Sequence, residues 1–270
     1  MIKSCIRFIL EKWRGKAISL HKTMFANLIV FNLKDALKFP IWIYQGTNLE
    51  SIGKIKVNVP LHPGMIRFGQ RKFFRNGKTV IINRGTMEFD GDCTILGGTT
   101  VNVLGHSIHF GKEVMIGENT KILVGPRIEI GDFTRIAFGT VIMSADFHHV
   151  INIANGVVKR SLAPITIGKY NWIGCNSTIK KGTVTPDYCI VSSNSLLLKD
   201  YSTESSYPFI AGMPGKIKGQ GLRRVYSSKH SEELRALFEE KGMEEVTIQK
   251  EADDPDFSRY CGEEIKVHSN

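Results

Sequence analysis

The middle of the chain repeats in steps of six residues. Phe89, Ile95 and Val101 form a first triplet, followed by Phe110, Ile116, Ile122 and Ile130, Ile136, Ile142. After a break the series resumes as Ile167, Ile173, Ile179 and then Thr185, Val191, Leu197. Fourteen of these fifteen positions are hydrophobic, and Gly111, Gly117, Gly131, Gly168 and Gly174 directly follow five of them. A six-residue step fits neither an amphipathic helix nor a simple alternating strand. It marks a parallel β-helix. Each hexad supplies one short strand and one corner, with the aliphatic residue pointing inward and the small residue easing the turn. Three hexads close one triangular coil, so fifteen positions make about five coils that bury their faces only by stacking. Thr185, with Pro186 in the usual glycine place, and the polar Ser192, Ser193 and Asn194 predict a looser last coil.

With 270 residues, the chain reads as one main domain with two extensions. The boundaries expected are a basic N-terminal extension over 1–40, the β-helix over 41–220 with a loop at 143–166, and a C-terminal helix and acidic tail over 221–270. Of the net charge of +10, residues 1–40 hold +6, with eight basic residues from Lys3 to Lys38 against Glu11 and Asp35. Such a segment either touches anionic lipid or an acidic polymer, or is a solvated face. No nucleic-acid-binding motif accompanies the charge, which argues against DNA. Cys5, Cys93, Cys175, Cys189 and Cys261 are odd in number and lack paired spacing, so they read as free thiols in a reducing compartment. The apolar run at the N-terminus is interrupted by Arg7 and followed by Glu11, Lys12 and Arg14, unlike a signal peptide. No apolar stretch reaches 18 residues. The expected location is the cytoplasm, with a contact at the membrane surface left open.

Along the chain, residues 2–20 suit a basic amphipathic helix with Ile2, Ile6, Leu10 and Trp13 on one side. Met24 to Leu33 reads as an extended apolar segment, Lys34 to Lys38 as one helical turn stopped by Pro40, and Ile41 to Tyr44 as a first strand. From there to about residue 85 the pattern is β-like but irregular, as befits an N-terminal cap and early coils. The break between Ile142 and Ile167 is an excursion from the coil, and such loops on a rigid scaffold are where function concentrates. Residues 231–241 read as a helix with Ser231 as N-cap. The acidic tail begins near 249.

Three segments carry a family resemblance. Ala163-Pro-Ile-Thr-Ile-Gly-Lys-Tyr-Asn-Trp-Ile-Gly174 with Ile179-Lys-Lys-Gly182, the exit Ala211-Gly-Met-Pro-Gly-Lys216, and the loop Asp146-Phe-His-His-Val150 resemble the hexapeptide-repeat acyltransferases over about residues 41–220. The stretch from Phe31 to Tyr44 resembles the branch that O-acetylates surface polysaccharides such as capsule or lipopolysaccharide. The resemblance implies a left-handed β-helix, an exception to the usual crossover hand. It also implies a homotrimer with active sites in the clefts between prisms, and an acyl-CoA donor, most often acetyl-CoA.

His148 is the expected general base. An acceptor hydroxyl attacks a thioester poorly unless its proton is removed, and a neutral imidazole suits that task. His149 is the alternative. Asp146 either orients the imidazole, as in a catalytic triad, or shapes the loop through an Asx-turn. Expected donor-site residues are Asn171, Trp172, Gly174, Ser192, Ser193 and Lys216. Trp172 would wall the pantetheine tunnel or pack on the outer surface. Ser192 and Ser193 would meet the pantetheine amides by position. Lys216, with Lys218, would neutralise CoA phosphates or belong to a solvated basic exit. Gly174 reads more simply as a coil-turn glycine.

The resulting expectation is an acyl-CoA-dependent O-acyltransferase acting on a sugar hydroxyl, with no metal. An N-acetyltransferase acting on an amino sugar would use the same chemistry. A zinc enzyme of the carbonic-anhydrase type would need three histidines between subunits, and His106 and His109 are available to join His148 or His149. A non-catalytic trimeric scaffold is the remaining class.

Overall fold

The computed structural model describes residues 17–74, 77–203 and 207–248. The helix expected over 2–20 lies outside them up to residue 16, as do Cys5, Cys261 and the acidic tail from 249. Contacts divide the chain into two units, one ending at Leu222 and one beginning at Arg223.

The first unit is a left-handed parallel β-helix of triangular section. Strands recur in strict rotation through three faces of nine, seven and six strands. The first face begins at Ile41–Ile43, the second at Thr47–Ser51 and the third at Lys54–Val57. Six coils are complete, and a seventh reaches only the first and second faces before Phe209–Ala211 and the antiparallel Lys216–Gly219 end the first face.

All fifteen repeat positions fall into register. On the first face Ile95, Ile116, Ile136, Ile173 and Val191 stack in sequence. On the second, Val101, Ile122, Ile142, Ile179 and Leu197 do so. On the third, Phe89, Phe110, Ile130, Ile167 and Thr185 complete the prism. Each of the fifteen is buried. Burying one such side chain contributes roughly 1.5–3 kcal/mol against the entropy of ordering it. The columns run on below the regular repeat through Ile43 and Phe68, Leu49 and Ile81, and Val57. The irregular stretch before residue 85 therefore holds one full coil and two faces of a second, which Thr86–Phe89 completes.

Glycine serves a different purpose here from easing the turn. A Cβ on Gly111, Gly117, Gly131, Gly168 or Gly174 would lie 2.4–2.6 Å from atoms of the next coil, four of the five against its backbone alone and Gly111 against both backbone and side chain of Asp132. The requirement is close approach between coils. The left-handed conformation comes three residues after the inward side chain, at Asn119, Phe133, Tyr170, Asn176, Tyr188 and Asn194. Left-handed backbone is costly for bulky residues. Along one edge it recurs at stacked rings: Phe133 on Tyr170 at 5.2 Å and Tyr170 on Tyr188 at 4.7 Å between centroids.

Thr185 sits in the third-face column with its hydroxyl accepting the Gly168 N–H at 3.2 Å, so the polar substitution costs no unsatisfied group. The last coil is looser, as expected: beyond Thr185 the third face continues only as a single Val184–Asp200 bridge. Cys93, Cys175 and Cys189 are free thiols, and burial pushes the Cys189 thiol up to about 12.

The expectation of an extended segment over Met24 to Leu33 is wrong. Leu20–Val30 is a helix, α1, followed by the short helix α2 at Leu33–Ala36. The misreading has a physical cause. α1 turns Thr23, Ala26 and Asn27 inward and leaves Met24, Phe25, Leu28 and Ile29 outside. Its polar stripe caps the end of the first face. Asn27 donates to the Ile41 carbonyl at 2.7 Å and accepts the Ile41 N–H at 3.0 Å, and Thr23 accepts the Ile43 N–H at 3.0 Å. An open strand edge with unpaired backbone groups is thereby closed by side chains.

The second unit contains helix α3, Ser228–Arg235, continued by a π-helical turn over Ala236–Glu240. It starts three residues before the expected position. Ser227 is the N-cap, its hydroxyl accepting from the His230 N–H at 3.2 Å.

Replacing Asn27 by Leu should strand both Ile41 backbone groups and destabilise the protein by on the order of 2 kcal/mol or more. Leu28→Ala, on the exposed side of the same helix, should change stability by about 0.5 kcal/mol or less. Urea unfolding of the two variants measures the difference.

Candidate active site

The excursion between the second-face strand Val141–Met143 and the third-face strand Ile165–Ile167 is a narrow arm. Its neck is closed by an antiparallel Ala145–Leu162 bridge and by the Asp146 N–H on the Ser161 carbonyl at 2.8 Å. Farther out, Ile151 pairs with Val158, and Asn152 and Gly156 shape the turn at the tip. The arm thus has a defined course although every residue from Phe147 to Arg160 is exposed.

Asp146 pins the arm to the prism. Its carboxylate oxygens meet Lys180 Nζ at 2.5 Å and Lys181 Nζ at 3.1 Å, and Lys181 also donates to the Arg160 carbonyl at 2.8 Å. The hydrogen bond from Lys180, and after it that from Lys181, holds the Asp146 carboxyl below its ordinary range. The expected role of orienting the imidazole is not what the geometry gives, because the carboxylate is turned toward the two lysines. The histidines differ in their surroundings. His149 Nε2 lies 3.4 Å from the Ser161 hydroxyl across the arm. Among the described residues none hydrogen-bonds to the His148 ring.

The expected donor-site residues cluster on another edge. Trp172 stands on the outer side of the first face, 43% exposed, in register between Arg135 and Ile190. Gly174, Ser192 and Ser193 lie at the corner leading from the first to the second face. Gly174 is a packing glycine: a Cβ there would meet Ser193 N at 2.4 Å. Ser192 uses its N–H on the Ile210 carbonyl at 2.8 Å, while the exposed Ser193 hydroxyl sits 3.1 Å from Cys175 Sγ. Lys216 is exposed at the start of the terminal antiparallel strand. Asn171 does not belong with them. It is wholly buried, and its amide donates to the Lys169 and Pro186 carbonyls at 3.0 and 2.8 Å, which locks the corner and leaves no face for a ligand. Within one chain, then, the arm rises from the edge between second and third faces, and the Trp172–Ser193 group from the edge between first and second.

Similar solved structures are acyltransferases. They include a polysialic-acid-specific acetyltransferase, NeuO (20% identity over 74% of this chain and 86% of that one, TM-score 0.38). A polysialic acid O-acetyltransferase, OatWY, is 22% identical over 69% of this chain and 92% of that one, with a TM-score of 0.38. AntD, an N-acyltransferase from Bacillus cereus in complex with dTDP and coenzyme A, is 20% identical over 75% and 89%, with a TM-score of 0.37. No family model and no curated protein sequence matches the chain. At these identities and scores, the activities in those names belong to those proteins.

As for the zinc alternative, His109 Nε2 lies 2.8 Å from Asp90 on the outer side of the third face. Among the described residues no three His, Cys, Asp or Glu side chains of one chain are grouped to hold a metal ion.

One feature escaped sequence reading altogether. Glu118 is buried in the fourth coil and receives the N–H groups of Lys72, Phe73 and Phe74 at 2.7–3.2 Å, fastening a second excursion near residues 71–78. Beside it lies a concavity of about 650 Å³ lined by Tyr44, Gln70, Arg71 and Phe73 among others. A smaller one of about 310 Å³, lined by Arg67, Asp92, Glu113 and Arg135 among others, opens on the first face. A lone Glu in a regular hexad carries no sequence signal for such a role.

The Asp146 anchor sets a pH dependence. A carboxyl depressed on folding stabilises above its unfolded value, near 3.9, and stops doing so as pH falls through the lower folded one. Hydrogen exchange at the arm's neck, taken relative to each amide's intrinsic rate, should therefore quicken as pH drops below about 4. Asp146→Asn should quicken it at neutral pH while the coil amides keep their protection.

Proposed function

We propose that the protein is an acyl-CoA-dependent O-acyltransferase that moves an acetyl group from acetyl-CoA to a sugar hydroxyl in surface polysaccharide biosynthesis. One observation carries this reading: a rigid prism holds out a pinned arm on which, among the described residues, none hydrogen-bonds to the His148 ring while its neighbour His149 is engaged by Ser161. A general base needs an imidazole nitrogen open to the acceptor. His148 takes the hydroxyl proton as the acceptor oxygen attacks the thioester carbonyl. The C–O bond forms, the C–S bond breaks, and the proton passes on to the departing CoA sulfur. No covalent enzyme intermediate is required, because the thiolate is a competent leaving group. Asp146, through Lys180 and Lys181, positions the arm.

Trp172 and the Ser192–Ser193 corner are proposed to flank the pantetheine chain, with Lys216 at the CoA phosphates. These residues and His148 arise from different edges of one prism, which supports a homotrimer whose clefts join the arm of one subunit to the donor groove of the next. The arm's apolar residues point the same way: Val150 is 78% and Ile153 87% exposed in a single chain. Residues of that kind are expected to be covered by another copy. We place the enzyme in the cytoplasm, with its basic N-terminal segment toward anionic lipid. Among the described residues no helix is long and apolar enough to cross a membrane.

The test is acetyl transfer to a panel of sugars bearing free hydroxyls, with amino sugars alongside. His148→Ala should lower kcat/KM by roughly 10²–10⁴-fold with the oligomer and acetyl-CoA affinity intact. His149→Ala should cost far less. Equal loss in both variants, or none in His148→Ala, would remove His148 as the base. Transfer confined to the amino group of amino sugars would overturn O-transfer and leave the acyltransferase reading standing.

A further inference from the structure

α1 is built inside out. Its inner arc is small or polar and bonds to the first strand, so its outer arc cannot be explained by the prism's core. That outer arc is apolar: Met24 is 50%, Phe25 59%, Leu28 52% and Ile29 55% exposed, and Leu33 at the start of α2 is 66% exposed. At 100° per residue, Leu20, Met24, Leu28, Phe25 and Ile29 span one continuous half of the helix, interrupted only by His21. A contiguous apolar face of this kind on a water-soluble surface marks an interaction site.

We propose that this face lies on an anionic lipid bilayer, with α1 in the plane of the interface. Three observations fix the occupant. First, the charge is complementary: the described residues 17–40 carry Lys22, Lys34 and Lys38 against Asp35, Lys34 stands exposed beside Leu33, and the sequence before Ala17 adds five basic residues against Glu11. An apolar helix face in a segment of net positive charge is the pattern of interfacial helices. Second, α1 has 11 residues, so it rises about 16 Å, about half the hydrocarbon thickness. It can rest in the interface and cannot span it. Third, the same positive charge opposes a second copy docking face to face on α1. The face is also held rigidly, because Asn27 and Thr23 fasten the opposite side of the helix to Ile41 and Ile43. Membrane contact would thus orient the whole prism with its N-terminal end down. This inference extends the lipid contact proposed above and stands apart from the transferase chemistry.

The experiment is flotation of the full-length protein with vesicles of phosphatidylcholine alone and of phosphatidylcholine with about 30% phosphatidylglycerol. Wild type should float with the anionic vesicles, remain behind with the neutral ones, and release as salt rises. The double variant Phe25→Glu with Leu28→Glu should reduce the bound fraction about tenfold. Its unfolding midpoint and acetyl-CoA affinity should match wild type, since neither side chain touches the core or the proposed donor groove. Failure of wild type to float overturns the proposal. So does undiminished flotation of the variant, which would leave the basic residues before Ala17 as the lipid contact. A drop in oligomer size of the variant in sedimentation would show instead that another copy covers the face.

Discussion

Vertical stacking of inward side chains is the interaction on which the rest of the protein depends. A coil of this prism has no interior of its own. Ile136 is buried only because Ile116 lies on one side of it and Ile173 on the other, each about 4.8 Å away along the axis. The same contact aligns the backbone ladders and forces glycine wherever two coils touch most closely. It also explains why excursions are tolerated only at corners. A loop that leaves after Met143 and returns before Ile165 adds residues without disturbing the column, since Ile142 still meets Ile179 and Ile130 still meets Ile167.

Excursions are held on this scaffold by contacts with later coils. The His148 arm is fixed by Lys180 and Lys181, one coil farther on, and the Lys72–Phe74 segment by Glu118, two coils farther on. In both cases a charged side chain on a rigid coil holds a segment that the hexad pattern does not specify. The ends follow another logic. α1 satisfies the first strand with polar side chains, and the antiparallel Lys216–Gly219 strand finishes the last one, so neither end of the first face is left as an open parallel edge.

The regular coils were legible because their inward positions recur in triplets six residues apart. The early coils were legible only as an irregular β pattern, because Phe68 and Ile81 share one coil but stand thirteen residues apart, which hides the six-residue step. α1 was misread for a related reason: periodicity reports which residues meet a core, and Thr23 and Asn27 meet backbone groups. At the candidate site, the choice between His148 and His149 turns on Ser161, twelve residues away across the arm. Asn171 looked like a ligand contact by its place in a familiar segment, yet its amide serves the Pro186 carbonyl on the next coil. Local sequence cannot reveal a partner that only the coil repeat brings near.

The coil repeat also makes height along the axis a counted quantity. The arm is rooted in the fifth coil, and the terminal Lys216–Gly219 strand pairs beyond the seventh, so the two are separated by whole rungs of about 4.8 Å. Loops can flex sideways, but the prism's spacing between them changes only by adding or removing a rung. A molecule that must touch both levels is therefore measured against a molecular ruler, and a chain with one coil more or less would be graduated for a longer or shorter one.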